Sequence, residues 1–143
     1  MSTLKKILDA INESLKERVT AKTVMHTPVI TLHPDDTVCR AVKLMDHYGI
    51  SQIPVIDYEG RLLGTIYETS LLKLLAHSDS PNPCETKISE VMEDPLPVVS
   101  PSTSISTIIA LLTEHPALLV IEKGVIQGII TKIDIIRMRL LHE

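Results

Sequence analysis

The sequence has no phenylalanine and no tryptophan, and only three tyrosines, Tyr48, Tyr58 and Tyr67. Its basic residues are not clustered, and its formal net charge is −4. Proteins that bind single-stranded nucleic acids stack bases on aromatic side chains, and proteins that follow a phosphate backbone need clustered Lys and Arg. The composition therefore argues against a nucleic-acid partner, and it predicts an aliphatic core.

Cysteine is equally scarce. Cys39 and Cys84 occupy non-equivalent places in the chain, and neither belongs to a CxxC or Cys/His motif. A disulfide framework or a zinc site needs more cysteines at regular spacing, and cytosolic proteins rarely keep disulfides. We therefore expect two reduced thiols in a cytoplasmic protein. The six histidines are scattered as well, so no metal site is predicted.

The chain also lacks long apolar runs and catalytic motifs. No run approaches the roughly 20 residues of a membrane-spanning helix, and the charges within residues 1–22 do not suit a secretory signal. A P-loop, a GxGxxG and a Ser-His-Asp order with elbow glycines are all missing. These absences predict a protein that neither enters a membrane nor acts as an enzyme.

What the chain does contain is one unit present twice. The run GISQIPVIDYEGRLLGTIYETSLLKLL at 49–75 corresponds to EHPALLVIEKGVIQGIITKIDIIRMRL at 114–140. Upstream, Val24-Met25 corresponds to Val91-Met92. Two copies are too few for a solenoid, so the copies are expected to form one pseudo-twofold domain. The divisions are a first motif at 21–77, a connector at 78–86 and a second motif at 87–143.

Each copy predicts the same order of elements, β-α-β-β-α, and hence an α/β fold. Short continuous apolar runs are typical of buried strands, and Asp or Ser/Thr residues indicate helix starts. The predicted pairs are extended stretches at 29–32 and 97–99, helices at 36–48 and 103–114 capped near Asp35-Asp36 and Ser102-Thr103, hairpins turning at 58–60 and 123–124, and closing helices at 68–77 and 132–141.

Residues 1–20 lie outside the repeat. Leu4, Ile7, Leu8, Ile11 and Leu15 share one face at helical spacing, which predicts an amphipathic helix over 3–18. This helix either covers an apolar surface of its own domain or serves as a linker or dimerisation helix.

The glycines and the strand ends carry the functional signal. Gly64 and Gly128 interrupt apolar strands, which indicates either simple sheet packing or a close approach of backbone or ligand. After Gly128 the strand ends at Thr131 and a helix begins, with Asp134 one turn further on. The two residues suit an N-cap, and they equally suit a nucleoside, whose ribose diol a carboxylate can bind. Both interpretations remain open from the residues alone.

These features together resemble a CBS-domain pair, also called a Bateman module. The resemblance rests on the paired units, the strands GISQIPVID and HPALLVIE, and the ending GIITKID, and it covers about residues 21–141. Within that family, GTIYETSLL, VMEDPLPVV and VIQGIITKIDII are most similar to the C-terminal regulatory regions of cystathionine β-synthases.

The resemblance implies two ligand clefts between the copies. In the first, Asp134 would bind ribose and Thr131 would lie near the phosphate or sugar edge. Further residues carried over by the resemblance or placed beside these two are Met25, His26, Ile30, Ile50, Ser51, Gln52, Lys132 and Ile133. In the second cleft Tyr67 and Ser70 replace the Thr and Asp, opposite His115, Pro116 and Ala117. Because this cleft lacks the carboxylate, it is expected to be empty or weaker.

The resemblance implies a regulatory module that binds an adenosyl compound and transmits its occupancy allosterically. Phosphates call for Arg or Lys, and only Lys132 and His26 are expected near the first cleft, which favours S-adenosylmethionine or a monophosphate over ligands with two or three phosphates. S-adenosylmethionine is the first choice, with AMP, ADP or ATP next. A homodimer is expected, with coupling to an enzyme domain or partner. The alternative is a structural dimerisation module without a physiological ligand.

Overall fold

The structure, a computed structural model, describes residues 2–17 and 19–141, with side chains described outside residues 12–17. It has a mixed α/β fold in which the predicted order of elements is complete in the second motif, whereas the first motif lacks the first strand of that order. Leu15 of the predicted apolar stripe lies outside the described side chains. The helices are α1 Thr3–Glu17, α2 Ala21–Val24, α3 Val38–Tyr48, α4 Glu68–His77, α5 Ile105–Leu112 and α6 Lys132–Leu140; the strands are β1 Gln52–Ile56, β2 Leu62–Tyr67, β3 Val98–Val99, β4 Ala117–Glu122 and β5 Val125–Thr131.

The chain divides into two compact units that do not follow the order of the motifs. One unit, the first-motif unit, is Ile30–Leu96; the other, the second-motif unit, combines Met1–Val29 with Pro97–Glu143. The first residues of each motif therefore pack with the sheet of the other motif. We name these segments the first arm, residues 20–28, and the second arm, residues 87–95.

Each unit is built on one antiparallel hairpin. In the first-motif unit β1 pairs with β2; in the second-motif unit β4 pairs with β5 and, in parallel, with β3. The tight β4–β5 turn places both Lys123 and Gly124 at positive φ, 52° and 77°. Positive φ at both central residues is the geometry of a two-residue hairpin whose twist matches its strands. The predicted turn at 123–124 is thus explained by its backbone.

Aliphatic side chains fill both cores, as the lack of Phe and Trp predicts. In the first-motif unit the apolar face of α3 packs on the hairpin, and the second arm contributes Ile88, which is fully buried. In the second-motif unit α5 and α6 pack on β4 and β5, and the first arm contributes Ala21, also fully buried. Each arm is therefore part of the core that it joins.

Several boundaries differ from the sequence-based predictions. The caps near Asp35-Asp36 and Ser102-Thr103 were wrong by one or two residues, because Thr37 and Ser104 hold the N-cap positions and accept from Arg40 N and Thr107 N. Asp36 instead accepts from His33 N at 2.7 Å and so fixes the turn before the helix. The extended stretch at 29–32 forms only one isolated bridge, between Leu32 and Val55.

The prediction of two reduced thiols was wrong, because Cys39 and Cys84 form a disulfide. They are separated by 45 residues, and their Cα atoms lie 4.8 Å apart. The connector folds back as a short 3₁₀ turn, Pro83–Glu85, against the first turn of α3. This contact depends on tertiary packing, so the spacing of the two cysteines gave no sign of it.

Helix α1 keeps its apolar face exposed. Leu4, Ile7, Leu8 and Ile11 are 66%, 51%, 50% and 49% exposed. The helix therefore does not bury these side chains within its own chain. In the part of the chain that the structure describes, no helix has both the length and the apolarity needed to cross a membrane.

Candidate functional site

The strand-to-helix junction of the second motif brings Thr131 and Asp134 together. Thr131 ends β5 and precedes α6, and its backbone N–H and its hydroxyl donate to Asp134 Oδ2 at 2.8 and 2.9 Å. Asp134 thus satisfies a backbone donor at the helix start, which is the capping role considered from the sequence. Its side chain is 13% exposed. Capping and ligand binding are compatible, because a carboxylate has about four acceptor positions.

The first arm adds His26 to the same carboxylate. His26 and Ile129 exchange backbone hydrogen bonds of 3.0 and 3.2 Å, which align the arm with β5. The imidazole Nδ1 then lies 3.0 Å from Asp134 Oδ2 and 3.2 Å from Oδ1. The structure thus joins three of the predicted site residues, His26, Thr131 and Asp134, in one hydrogen-bonded cluster. Oδ2 carries three contacts, so Oδ1 is the oxygen with more capacity for a further donor.

Lys132 and Ile133 begin helix α6 beside this cluster. The Lys132 ammonium donates to the His115 carbonyl oxygen at 3.1 Å, and the Ile133 side chain is 47% exposed. Ala117, which follows Pro116, pairs with Thr131 across the β4–β5 ladder. Lys132 and His115 were assigned to different clefts from the sequence, and the structure places them in contact.

Four more predicted residues of the first cleft, at positions 30 and 50–52, belong to the first-motif unit. Ile30 and Ile50 are partly buried against its core. The Ser51 hydroxyl donates to Gln52 Oε1 at 3.0 Å, and Gln52 pairs with Tyr67 across the β1–β2 hairpin. Ser51, Gln52 and Tyr67 thus share one end of that hairpin.

The first motif repeats the junction with different chemistry. Tyr67 ends β2, its N–H donates to Ser70 Oγ at 3.0 Å, and the Ser70 hydroxyl donates to the Glu93 carboxylate. Glu93 belongs to the second arm, held by two backbone hydrogen bonds with Thr65 of 2.9 and 2.8 Å. The Lys73 ammonium lies 3.3 Å from Glu93 Oε1.

Glu93 is a residue that the sequence-based prediction missed. It corresponds to His26 in the other copy, since both follow the Val-Met pair of their arms. The second-motif unit has its carboxylate on the helix and a histidine on the arm, whereas the first-motif unit has a hydroxyl on the helix and its carboxylate on the arm. Aligning the arms and helices together would have revealed this exchange.

The contacts of Glu93 shift its titration. The Ser70 hydrogen bond, followed by Lys73, lowers the pKa of the Glu93 carboxyl below its ordinary value of 4.5, against an opposing effect of burial. Burial raises the pKa of the Tyr67 hydroxyl, a hydrogen bond with Thr65 opposes this, and the negative charges of Glu93 and Asp94 add to the rise. Glu93 is therefore ionised and Tyr67 neutral near pH 7.

Substituting Ser70→Ala is expected to raise the pKa of Glu93 toward 4.5, because the largest stabilising hydrogen bond of the carboxylate is lost. A carboxyl whose pKa is lower in the native state than in the unfolded state stabilises the fold at any pH above the unfolded-state pKa. This contribution is lost as the pH falls from about 4.5 through the pKa of the native state. The variant should therefore lose less stability on acidification. An NMR titration of the Glu93 carboxyl checks this, with Lys73→Ala as the control of smaller effect. An unchanged pKa in Ser70→Ala would contradict it.

The two strand glycines are explained by the arms. A Cβ at Gly128 would lie 2.6 Å from Met25 Sδ, and a Cβ at Gly64 would lie 2.6 Å from the backbone oxygen of Glu93. The close approach considered from the sequence is thus made by the arms. It positions Met25, His26 and Glu93 beside the strand ends. Within residues 2–17 and 19–141, no group of three or more His, Cys, Asp or Glu is arranged to hold a metal ion.

A duplicated β-α-β-β-α motif with an arm crossing each hairpin defines a class of paired-repeat α/β modules. The family model of the CBS domain matches residues 21–77 and 88–140. The chain belongs to the CBS-domain family, as its sequence motifs predicted. Domain pairs of this family are regulatory modules.

Two relatives illustrate how such pairs occur in longer chains. The chain is 30% identical over 138 residues to cystathionine beta-synthase of Dictyostelium discoideum, covering 92% of this chain and 27% of that protein. It is 27% identical over 137 residues to the A-adding tRNA nucleotidyltransferase of Aquifex aeolicus, covering 94% of this chain and 16% of that protein. The chain thus spans about a quarter or less of these two relatives.

Two solved structures share the fold. One is CBSX2 in complex with AMP, with a TM-score of 0.71 and 24% identity, covering 86% of this chain and 97% of that one. The other is the CBS domain pair of protein MJ0100 in complex with 5′-methylthioadenosine and S-adenosyl-L-methionine, with a TM-score of 0.74 and 21% identity, covering 87% and 98%.

Proposed function

We propose that this chain is a regulatory module that binds an adenosyl compound at the Thr131–Asp134 junction, with S-adenosylmethionine preferred over AMP, ADP and ATP. The observation that carries the proposal is the His26–Asp134–Thr131 cluster at the start of α6. A carboxylate that can accept two donors suits a ribose diol, and the adjacent helix start offers positive dipole. The adenosyl ligands in the CBSX2 and MJ0100 structures support this ligand class.

The charge of the junction favours a ligand without several phosphates. Phosphate recognition uses Arg or Lys. The basic groups at the junction are Lys132, which donates one of its three N–H groups to the His115 carbonyl, and His26, which contacts Asp134. Two such groups are few for two or three phosphates. We propose Ile133, Met25, Ile30, Ile50, Ser51 and Gln52 as further ligand contacts, the aliphatic ones against adenine.

We propose that the first-motif junction binds more weakly, together with His115, Pro116 and Ala117. Tyr67 adds a ring where the other copy has a hydroxyl, and Ser70 has no charge. Glu93 supplies an acceptor there, and its negative charge opposes phosphate groups. A cationic or neutral adenosyl compound is favoured over a nucleotide at this junction as well.

The proposal is tested by calorimetry and thermal shift with S-adenosylmethionine, S-adenosylhomocysteine, AMP, ADP and ATP on the full chain. A ligand that binds only the folded state at 100 times its Kd stabilises it by about 2.7 kcal/mol. Substituting Asp134→Asn should weaken binding by roughly 10- to 100-fold, because hydrogen bonds to a charged group contribute about 1.5–3 kcal/mol. Asparagine remains an acceptor for Thr131 N, so the helix cap is kept.

Ser70→Ala is the matched control, since Ser70 is the counterpart of Asp134 in the other copy. It should leave the affinity of the first ligand site within about twofold, which is a difference below 0.5 kcal/mol. Unchanged affinity in Asp134→Asn would overturn the assignment of the site. A response to AMP or ATP alone would overturn the preference for S-adenosylmethionine.

We propose that occupancy is passed on through α1, whose apolar face is about half exposed. A regulatory ligand must bind two states of the module with different affinity. Hydrogen exchange of α1 with and without ligand reports such a change. Unaltered protection of α1 would remove it as the output, and the regulated partner would then contact another element.

The second candidate function is a structural dimerisation module without a ligand. It is favoured by the apolar groove of about 600 Å³ along α3 and α4, where Val42, Leu72 and Leu75 are 46%, 64% and 65% exposed. A homodimer that buries these residues would be detected by sedimentation. Dimerisation, together with no binding of any of the five adenosyl compounds, would favour this function over ligand sensing.

A further inference from the structure

The Cys39–Cys84 pair lies where the connector meets helix α3. Cys39 is the second residue of α3, and Cys84 is in the 3₁₀ turn Pro83–Glu85. Both residues are half-buried. None of the adenosyl-site residues takes part in this pair, so the pair needs an explanation of its own.

Backbone hydrogen bonds that do not involve the sulfur atoms also hold the chain after Cys84 beside the start of α3. Beyond Cys84, Thr86 O accepts from Val38 N at 2.9 Å, and Ile88 N donates to Asp36 O at 2.9 Å. Ser89 N also donates to Pro34 O at 3.0 Å. These bonds hold the end of the connector and the start of the second arm against the segment that leads into α3. Two reduced thiols would remain near each other, so the disulfide can reform after it is opened.

A basic groove adjoins the pair. It has a volume of about 510 Å³ and is lined by Thr37, Cys39, Arg40, Lys43, Leu44, His47 and Tyr48. Arg40, Lys43 and His47 can be cationic, and none of the lining residues is acidic. The Arg40 guanidinium also lies 3.7 Å from Asp36 Oδ1, so Lys43 is the cation that the test below changes. The volume is within the range of small-molecule sites. The groove therefore suits an anion of small-molecule size that binds beside Cys39.

We propose that Cys39 and Cys84 are an exchangeable dithiol–disulfide pair, and that the groove along α3 admits an anionic low-molecular-weight thiol and its disulfide. Cys39 lines the groove at the first turn of a helix, where N–H groups and nearby cations favour the thiolate. It is therefore the attacking sulfur, and Cys84 on the connector resolves the intermediate.

In the proposed thiol–disulfide exchange, the small disulfide is the oxidant. The Cys39 thiolate attacks one sulfur of the small disulfide, which forms a mixed disulfide and expels one small thiolate. The Cys84 thiol then loses its proton and attacks the Cys39 sulfur, which expels the second small thiolate. Two protein thiols are oxidised to one disulfide, and one small disulfide is reduced to two thiols. Reduction of the protein is the reverse sequence.

The test uses the reduced full chain and glutathione disulfide, an anionic probe, with cystamine as a cationic probe. Wild type should form the Cys39–Cys84 bond, and alkylation of the remaining thiols followed by mass spectrometry measures this reaction. Cys84→Ser should accumulate the mixed disulfide on Cys39, and Cys39→Ser should react more slowly at Cys84. Failure of the reduced wild type to close, or equal reaction at the two cysteines, would overturn the proposal.

The charge of the groove is tested with Lys43→Glu, and Lys22→Glu is the matched control. Both lysines are exposed, and Lys22 lies in the other compact unit. Lys43→Glu should slow closure by glutathione disulfide about 10-fold, the scale of electrostatic effects on association, without slowing closure by cystamine. Lys22→Glu should change neither rate. Equal effects of the two variants, or equal effects on the two probes, would contradict an anion-selective groove.

Discussion

Reducing the Cys39–Cys84 bond is expected to lower the free energy of unfolding by about 4 kcal/mol, because the bond closes a long loop in the unfolded chain. The two cysteines are 45 residues apart, and the loop between them contains α3, β1, β2 and α4. In the chain-entropy account, a cross-link removes conformations from the unfolded state, and the effect increases with loop length. This bond therefore constrains most of the first motif.

Urea titration of the oxidised and reduced protein measures this difference. For a domain of this size 1 kcal/mol corresponds to about 2–4 °C, so the Tm should fall by roughly 10 °C. The Cys39→Ser/Cys84→Ser double variant should resemble reduced wild type and should not respond to reductant. Coincident urea midpoints for oxidised and reduced wild type would show that the bond does not constrain the fold.

Substituting Gly64→Ala is expected to destabilise the protein by about 2 kcal/mol through overpacking. The new Cβ would lie 2.6 Å from the Glu93 carbonyl oxygen, which accepts a hydrogen bond from Thr65 N at 2.9 Å. A backbone atom cannot move aside as the end of a side chain can. The second arm would have to shift and weaken its pairing with Thr65. Chemical denaturation at constant m-value measures the loss, and an unaltered midpoint would contradict the close approach.

Gly128→Ala provides the comparison, because its new Cβ meets the Met25 side chain and no backbone atom among its nearest contacts. In a double-mutant cycle, Met25→Ala should recover part of the stability lost in Gly128→Ala, with a coupling of about 1 kcal/mol. Met92→Ala should recover less in Gly64→Ala, since the clash with the Glu93 oxygen remains. Equal recovery in both pairs would show that side-chain crowding explains both glycines.

The secondary structure could be predicted from the sequence because periodicity and turn residues act locally. The hairpin at Lys123-Gly124 and the two closing helices follow from such signals. The caps were misplaced because several neighbouring residues can accept a backbone N–H, and the path of the chain selects among them. Thr37 holds the N-cap position of α3, whereas the Asp36 carboxylate accepts a hydrogen bond from His33 N.

The chemistry of the site was only partly accessible from sequence. Thr131 and Asp134 are three residues apart, so their contact follows from local helix geometry. The partnership of Asp134 with His26 crosses more than 100 residues of chain and depends on the arm pairing with β5. Glu93 was missed because its arm was not aligned with the arm that carries His26, and the Cys39–Cys84 bond has no counterpart in the repeat from which to infer it. In each case the partners meet only through tertiary packing.

The exchange of arms between the motifs bears on how such a chain could arise. An ancestral protein with a single motif would have its arm suited to another motif's hairpin, so it could complete its core only by exchanging arms with a second molecule. Such a dimer falls apart on dilution. After gene duplication and tandem fusion, the two arms find their hairpins within one chain, at an effective concentration on the order of millimolar. The duplicated gene would then encode a chain that completes both cores by itself, so that its fold no longer depends on its abundance in the cell, and its two halves would be free to diverge in chemistry.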